Sequence, residues 1–414
     1  MSETSETTLV TQKHDMNRRQ FLAGTGAAAL GLALVEPGLV RGADANSKIN
    51  IGLIGCGGRG QWIIDLFGKH GGYNVVAAAD YFQDRAGEVG KKFNIDPKHL
   101  YSGLSGYRRL LEQNLDAVVI QTPPYFHPEH AAAAIDAGKH VYLAKPLAVD
   151  VPGCHSIRES GQKATAKKLC FLVDFQTRAH PDYQEVVRRV HRGEMGRIVS
   201  VETNYQTSTM FAERDAQIRA HPEDRELRLK FWAVDRALSG DVITEQNIHA
   251  LDVVSWFLNA EPIRAYGTGG RARDFVGNCW DHFAVVFYYP NDVLVSFSSK
   301  QVGYGYDDIM CRVYGMKGTA DTHYSGKVTF RSNEDAFNGD TPNLYQDGAV
   351  RNIATFHNNV LKGDCYNLTV PPSVRSNLVT ILGRTAAYRN REVTWDEVMK
   401  ANEKLEADLR GLRV

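Results

Sequence analysis

The chain carries no excess of either charge: 48 Lys and Arg face 48 Asp and Glu in 414 residues. That balance does not favour a polyanionic partner, so nucleic acid is not expected. The six cysteines, Cys56, Cys154, Cys170, Cys279, Cys311 and Cys365, lie far apart and form no CxxC or Cys/His cluster. Their spacing predicts neither a zinc site nor a disulfide framework, and no metal is expected. Long apolar runs are lacking too. The run from Phe21 to Val35, stopped by Glu36 and Pro37, has 15 residues, against the roughly 20 of a spanning helix. No stable membrane anchor is expected. There is no internal repeat and, beyond that run, no low-complexity tract.

What the N-terminus does contain is Arg18-Arg19 ahead of a mild, Gly- and Ala-rich apolar stretch, with Ala43-Asp44-Ala45 as a cleavage site of A-x-A type. This pattern resembles a twin-arginine export signal. Residues 1–45 are therefore set apart from the fold, with Met16 an alternative start. The export machinery becomes an expected partner and the periplasm, or another space outside the cytoplasm, the expected location.

From residue 46 the chain is long enough for more than one domain. Lys48–Ile54, Tyr73–Asp80, Leu115–Thr122 and His140–Leu143 read as short apolar strands separated by helical patterns, the signature of a doubly wound parallel sheet. After about residue 195 the texture changes. Ile198–Tyr205, Ile263–Gly270, His282–Tyr289, Val293–Ser299, Ile309–Tyr314 and Lys327–Phe330 are strand-like, with Tyr289–Val293 a hairpin turn. The expected fold class is α/β plus α+β. An N-terminal Rossmann domain takes 46–170. A predominantly antiparallel open sheet takes 171–375, with a charged helical excursion at 209–240, and helices take 376–414. An open sheet face predicts a homo-oligomer, dimer or tetramer.

Gly55-Cys56-Gly57-Gly58-Arg59-Gly60 directly follows the first strand and opens a helix, and Asp80 ends the next strand. That context makes GxGxxG a dinucleotide fingerprint. Gly55 allows the tight turn, Gly57 the approach of a pyrophosphate, and Gly60 close helix–strand packing. The helix N-terminus attracts the phosphates, with Arg59 as an added charge. Asp80 accepts hydrogen bonds from ribose hydroxyls and repels a 2′-phosphate, so NAD is favoured; Arg85 leaves NADP open.

Together with Thr122-Pro123-Pro124-Tyr125-Phe126-His127, Gly138–Pro146, Gly240–Asp252 and Val393–Glu397, this fingerprint resembles the Gfo/Idh/MocA family, the glucose–fructose oxidoreductases and inositol dehydrogenases. The resemblance implies that Lys145 lies beside the nicotinamide and that Thr122, Pro123 and His127 form the loop beneath it. In the family a glutamate precedes that lysine; here Ala144 replaces it. Burial lowers a lysine's pKa, so Lys145 is expected to exchange a proton with a hydroxyl during hydride transfer. The family's paired acid and histidine fall on Glu245 and His249. If helical, these share one face. His249 is expected as acid/base or as holder of the reacting hydroxyl, and Glu245 as its orienting partner or a substrate contact. Gln176, Arg178 and Trp232 are further candidates for the substrate, Trp232 by stacking on a sugar face.

The sequence thus predicts an exported NAD(P)-dependent oxidoreductase acting on a sugar, sugar derivative or cyclitol, its cofactor tightly bound because folded export carries it along. The alternative is a redox-neutral glycosidase or lyase of the same family, although the Tyr-Pro-Thr-His-type motif of family glycosidases is not visible.

Overall fold

Two sheets organise the chain, each dictated by its side-chain pattern. The computed structural model describes residues 48–210, 212–274 and 277–414, and the expected signal at 1–45 lies outside these. In the first sheet the strands are β1 (Ile49–Ile54), β2 (Tyr73–Asp80), β3 (Leu100–Ser102), β4 (Ala117–Ile120), β5 (His140–Ala144) and β6 (Phe171–Asp174). All pair in parallel, in the order β3-β2-β1-β4-β5-β6. Strands such as Ala117–Ile120, buried at every position, suit a sheet covered on both faces. The order reverses between β1 and β4, which opens a crevice at their carboxyl ends.

The second sheet contains β7 (Ile198–Thr207), β8 (Arg264–Gly270), β9 (His282–Tyr289), β10 (Val293–Gln301), β11 (Asp308–Gly315), β12 (Gly318–His323), β13 (Lys327–Ser332), β14 (Ala336–Asp340) and β15 (Val393–Thr394). It is antiparallel throughout except for the parallel pair β7 and β10. Strand β9 alternates buried and partly exposed residues, so only one face meets the core. At the β9–β10 turn Asn291 takes φ 63°, a left-handed conformation that asparagine tolerates.

The expected boundaries need correction. Phe171–Asp174 pairs with β5, so the parallel sheet continues past residue 170. The helix Leu344–Lys362 buries Ala349, Ile353 and Phe356 in the core formed by Ile51, Leu53 and Tyr142 of the first sheet. The C-terminal part is helical over Val370–Arg389 and Trp395–Ala401 only. The last residues instead run back to the first sheet, where Leu104 N donates to Arg413 O (2.9 Å) and Arg413 N to Tyr81 Oη (3.1 Å). Residues Lys48–Val414 pack as one unit. Among the described residues no helix is long and apolar enough to cross a membrane.

Candidate active site

The glycine turn is built by exclusion. Gly55 has φ +95°, and a Cβ there would lie 2.6 Å from the Gln121 carbonyl carbon. A Cβ on Gly60 would lie 1.9 Å from Gly55 O, so this glycine lets helix Gly58–His70 sit against the turn. Gly57 and Gly58 differ: a Cβ at Gly57 would meet only Arg85 Nη1, at 3.7 Å, and one at Gly58 nothing within 4 Å. Their backbone therefore faces open space at the start of a 13-residue helix, which is the cradle a pyrophosphate requires.

A cleft continues from this turn, past Asp80, Arg85, Thr122 and Pro123, to Leu229 and Trp232. Asp80 accepts N–H bonds from Cys56 (2.7 Å) and Phe82 (2.9 Å). Burial pushes its carboxyl up, against those two donors and the nearby Arg85. Arg85 lies over the Phe82 ring. Cys56 is fully buried and burial raises its thiol pKa, so it packs the turn and offers no nucleophile. These residues fit a dinucleotide: open glycine backbone, a helix N-terminus, and an acid at the end of β2 in the same cleft.

Lys145 follows β5 at the carboxyl edge of the sheet, with its side chain 9% exposed. Its Nζ donates to Glu245 O (2.6 Å) and Glu245 Oε1 (3.3 Å). Burial lowers the lysine pKa, partly offset by Glu245. His249 is 7% exposed and meets the Tyr324 ring edge-on, centroids 5.0 Å apart. Its Nδ1 is buried with no hydrogen-bond partner among the described residues. Burial, then the positive charges of Lys145 and Arg59, drives its pKa well below the usual histidine value. The neutral imidazole is thus favoured, with Nδ1 left unpaired inside the protein.

Several expectations are corrected here. Glu245 and His249 do not share one helix: Val242–Glu245 ends before Ile248–Leu258 begins. The Glu245 carboxylate orients Lys145 instead of His249, whose pKa falls where a carboxylate partner would have raised it. Arg178 is engaged within the protein. Its guanidinium grips Asp252, which is fully buried, through three contacts of 2.8–3.1 Å. Trp232 lines the cleft with Asp80 and Arg85. Arg59 binds Asp174 (2.5 Å) and the Tyr345 hydroxyl, so its guanidinium is already engaged by protein groups. His127 acts within the protein: its ring nitrogens lie 2.7 Å from Pro146 O and 2.8 Å from Thr122 O, bracing the lysine loop against β4. Burial pushes its pKa down to about 4, against the pull of both carbonyls. Gln176 is buried and donates to Asp174 Oδ2 (2.9 Å).

Four residues escaped the sequence reading. Asp174 stands opposite Ala144 in the β5–β6 register and gathers Arg59, Gln176 and Asn352. It supplies a buried carboxylate beside the position where Ala144 has none. An apolar strand closed by an acid, Phe171–Asp174, was the available signal, the same one that marked Asp80. Tyr205, whose hydroxyl donates to Gln246 Oε1 (2.7 Å), Tyr324 and Tyr345 complete the surroundings. No local pattern announces these three.

The comparisons agree with this architecture. Residues 49–175 match the oxidoreductase family with an NAD-binding Rossmann fold, and residues 183–321 the GFO/IDH/MocA C-terminal domain, together more than half the chain. Inositol 2-dehydrogenase of Acidothermus cellulolyticus is 28% identical over 276 residues, covering 66% of this chain and 72% of that protein. Glycosyl hydrolase family 109 protein 1 of a Shewanella strain is 27% identical over 217 residues, 46% of each chain. Among solved structures, scyllo-inositol dehydrogenase from Lactobacillus casei with bound NAD(H) and scyllo-inositol aligns with TM-score 0.66 at 18% identity, covering 84% of this chain and 99% of that one. Aldose-aldose oxidoreductase from Caulobacter crescentus aligns with the same TM-score, identity and coverage. At that identity the likeness shows the fold. On the two matching domains and the glycine turn, the chain belongs to the Gfo/Idh/MocA family and is an NAD(P)-dependent oxidoreductase.

Proposed function

We propose that the protein oxidises a secondary or anomeric hydroxyl of a cyclitol or sugar, with NAD preferred and Lys145 moving the proton. The observation that carries this reading is the Lys145 ammonium group held by Glu245 at 2.6 and 3.3 Å, beside the unpartnered Nδ1 of His249. A nicotinamide dinucleotide, bound along Gly55–Gly60, supplies the hydride acceptor. The chain does the rest. His249 Nδ1 accepts a hydrogen bond from a neighbouring substrate hydroxyl and orients the ring. Lys145, once deprotonated, takes the proton of the reacting hydroxyl as the C–H hydride departs, and burial, which lowers its pKa, favours that form. Glu245 then stabilises the ammonium. Two relatives named as inositol dehydrogenases support a cyclitol or sugar substrate.

The arginine pair at 18–19 supports export of the folded protein with its cofactor retained and recycled within one site. The similarity to glycosyl hydrolase family 109 proteins motivates a second reading, a redox-neutral glycosidase. One set of assays separates them. The small molecules released on denaturation are identified by mass spectrometry, and the protein is offered cyclitols, aldoses and nitrophenyl glycosides. Released NAD with NADH formation from a cyclitol or aldose supports the proposal. Release of nitrophenol without net NADH selects the glycosidase, and inertness toward every hydroxyl donor overturns both.

A further inference from the structure

Away from Lys145, three residues from distant parts of the chain converge. His140 begins β5, Cys170 immediately precedes β6, and Cys365 follows helix Leu344–Lys362. One ligand atom from each lies within 4.8 Å of the others. Both cysteines are buried, and their sulfurs are 3.0 Å apart across 195 residues of sequence. The wide spacing that argued against a cysteine cluster is therefore misleading, because the fold closes it. Backbone contacts aim the two sulfurs at each other: Cys365 Sγ donates to Lys168 O (3.2 Å) and Cys170 Sγ to Asp364 O (3.4 Å).

Two chemistries compete for such a trio. With Zn–S distances of about 2.3 Å, tetrahedral zinc holds two thiolate sulfurs about 3.8 Å apart. The observed 3.0 Å is too tight for that. It needs about 1 Å of closure to reach a sulfur–sulfur bond of about 2.05 Å. His140 Nδ1 is also taken, accepting Cys170 N–H at 2.8 Å. We propose that Cys170 and Cys365 form a disulfide when the protein meets an oxidising thiol buffer. Two S–H bonds break and one S–S bond forms. The two electrons and two protons pass to a small disulfide such as oxidised glutathione, which leaves as two thiols. The bond fastens the end of helix Leu344–Lys362 to the start of β6. That helix carries Tyr345 and Asn352, and that strand ends at Asp174, so the disulfide braces the Arg59–Asp174 network beside Lys145.

The full chain, equilibrated or refolded in a glutathione redox buffer, tests this. Thiol counting in denaturant should fall from six to four on oxidation, and non-reducing peptide mapping should join the Cys170 and Cys365 peptides. Closing so long a loop should raise Tm by roughly 5 °C over the reduced form. Cys365→Ser should abolish that difference while keeping the Tm of the reduced wild type. Mapping of the wild-type protein decides the matter even if the variant folds poorly. Six free thiols after oxidation, a different pairing, or stoichiometric zinc uptake by the reduced protein would each overturn the proposal.

Discussion

Asp80→Asn removes one charge at the end of β2 and leaves side-chain size unchanged. The carboxylate accepts N–H bonds from Cys56 and Phe82 at 2.7 and 2.9 Å. An amide offers only one oxygen, so one donor loses its partner, a cost of about 1–3 kcal/mol. For a folded unit of this size that lowers Tm by about 1–4 °C. The effect on cofactor choice is larger. At about 4 Å, a carboxylate opposes each charge of a ribose 2′-phosphate by about 4 kcal/mol near a protein surface, or roughly 10³-fold in Kd. Arg85, over the Phe82 ring and beside Gly57, then faces the phosphate without an opposing carboxylate. The variant should bind NADP at least about 10²-fold more tightly than wild type and NAD about 5-fold more weakly. Calorimetry at about 0.1 M salt measures both, and quenching of Trp232 in the same cleft provides a second signal. Should Tm fall while both affinities stay put, Asp80 would be a fastener of the glycine turn and no ribose ligand.

Two more predictions concern buried charged or titratable residues. Arg178→Met strands the fully buried Asp252 carboxylate, a loss of about 3–5 kcal/mol, so Tm should drop by about 4–6 °C. Its KM should hold; a raised KM at unaltered Tm would return Arg178 to the substrate. His130 packs between Tyr107 and Phe126, and burial pushes its pKa down to about 3 from 6.5. Its stabilising share is present above pH 6.5 and is lost as pH falls toward 3, because the unfolded ring takes a proton that the native ring refuses. Between pH 7 and 5 that amounts to about 2 kcal/mol. Chemical denaturation at the two pH values should show His130→Gln less acid-sensitive than wild type by this amount, and equal sensitivity would disprove the assignment.

Local signals carried much of this protein. Strand–glycine turn–helix and the acid at Asp80 announced the cofactor cleft, because Gly60 answers a contact within the turn itself and Gly55 one at the end of the adjacent strand β4. Lys145 was legible through its flanking motif, and the structure buries it as expected. Long-range facts were not legible. Arg178 and Asp252 are 74 residues apart, and a bare arginine after a strand looks the same whether it faces a ligand or a buried acid. Trp232 lines the cleft with Asp80 and Arg85, a placement the sequence did not show because the path of the excursion depends on tertiary packing. The break after Glu245 hid in a sequence that reads as one helix, and it swings the carboxylate from His249 to Lys145. Tyr205, Tyr324 and Tyr345 come from distant elements, so no window of sequence could gather them.

The central claim is that Lys145 moves the proton of the reacting hydroxyl. Its most direct test compares wild type with Lys145→Met, measuring dinucleotide Kd by calorimetry and hydride transfer by stopped-flow NADH absorbance with the cyclitol or aldose that the wild type oxidises. The account predicts nearly unchanged dinucleotide affinity, hydride transfer slowed by about 10²–10⁴-fold, and loss of the rate increase that wild type shows as rising pH deprotonates the buried lysine. A variant that transfers hydride at the wild-type rate with the wild-type pH profile would contradict it.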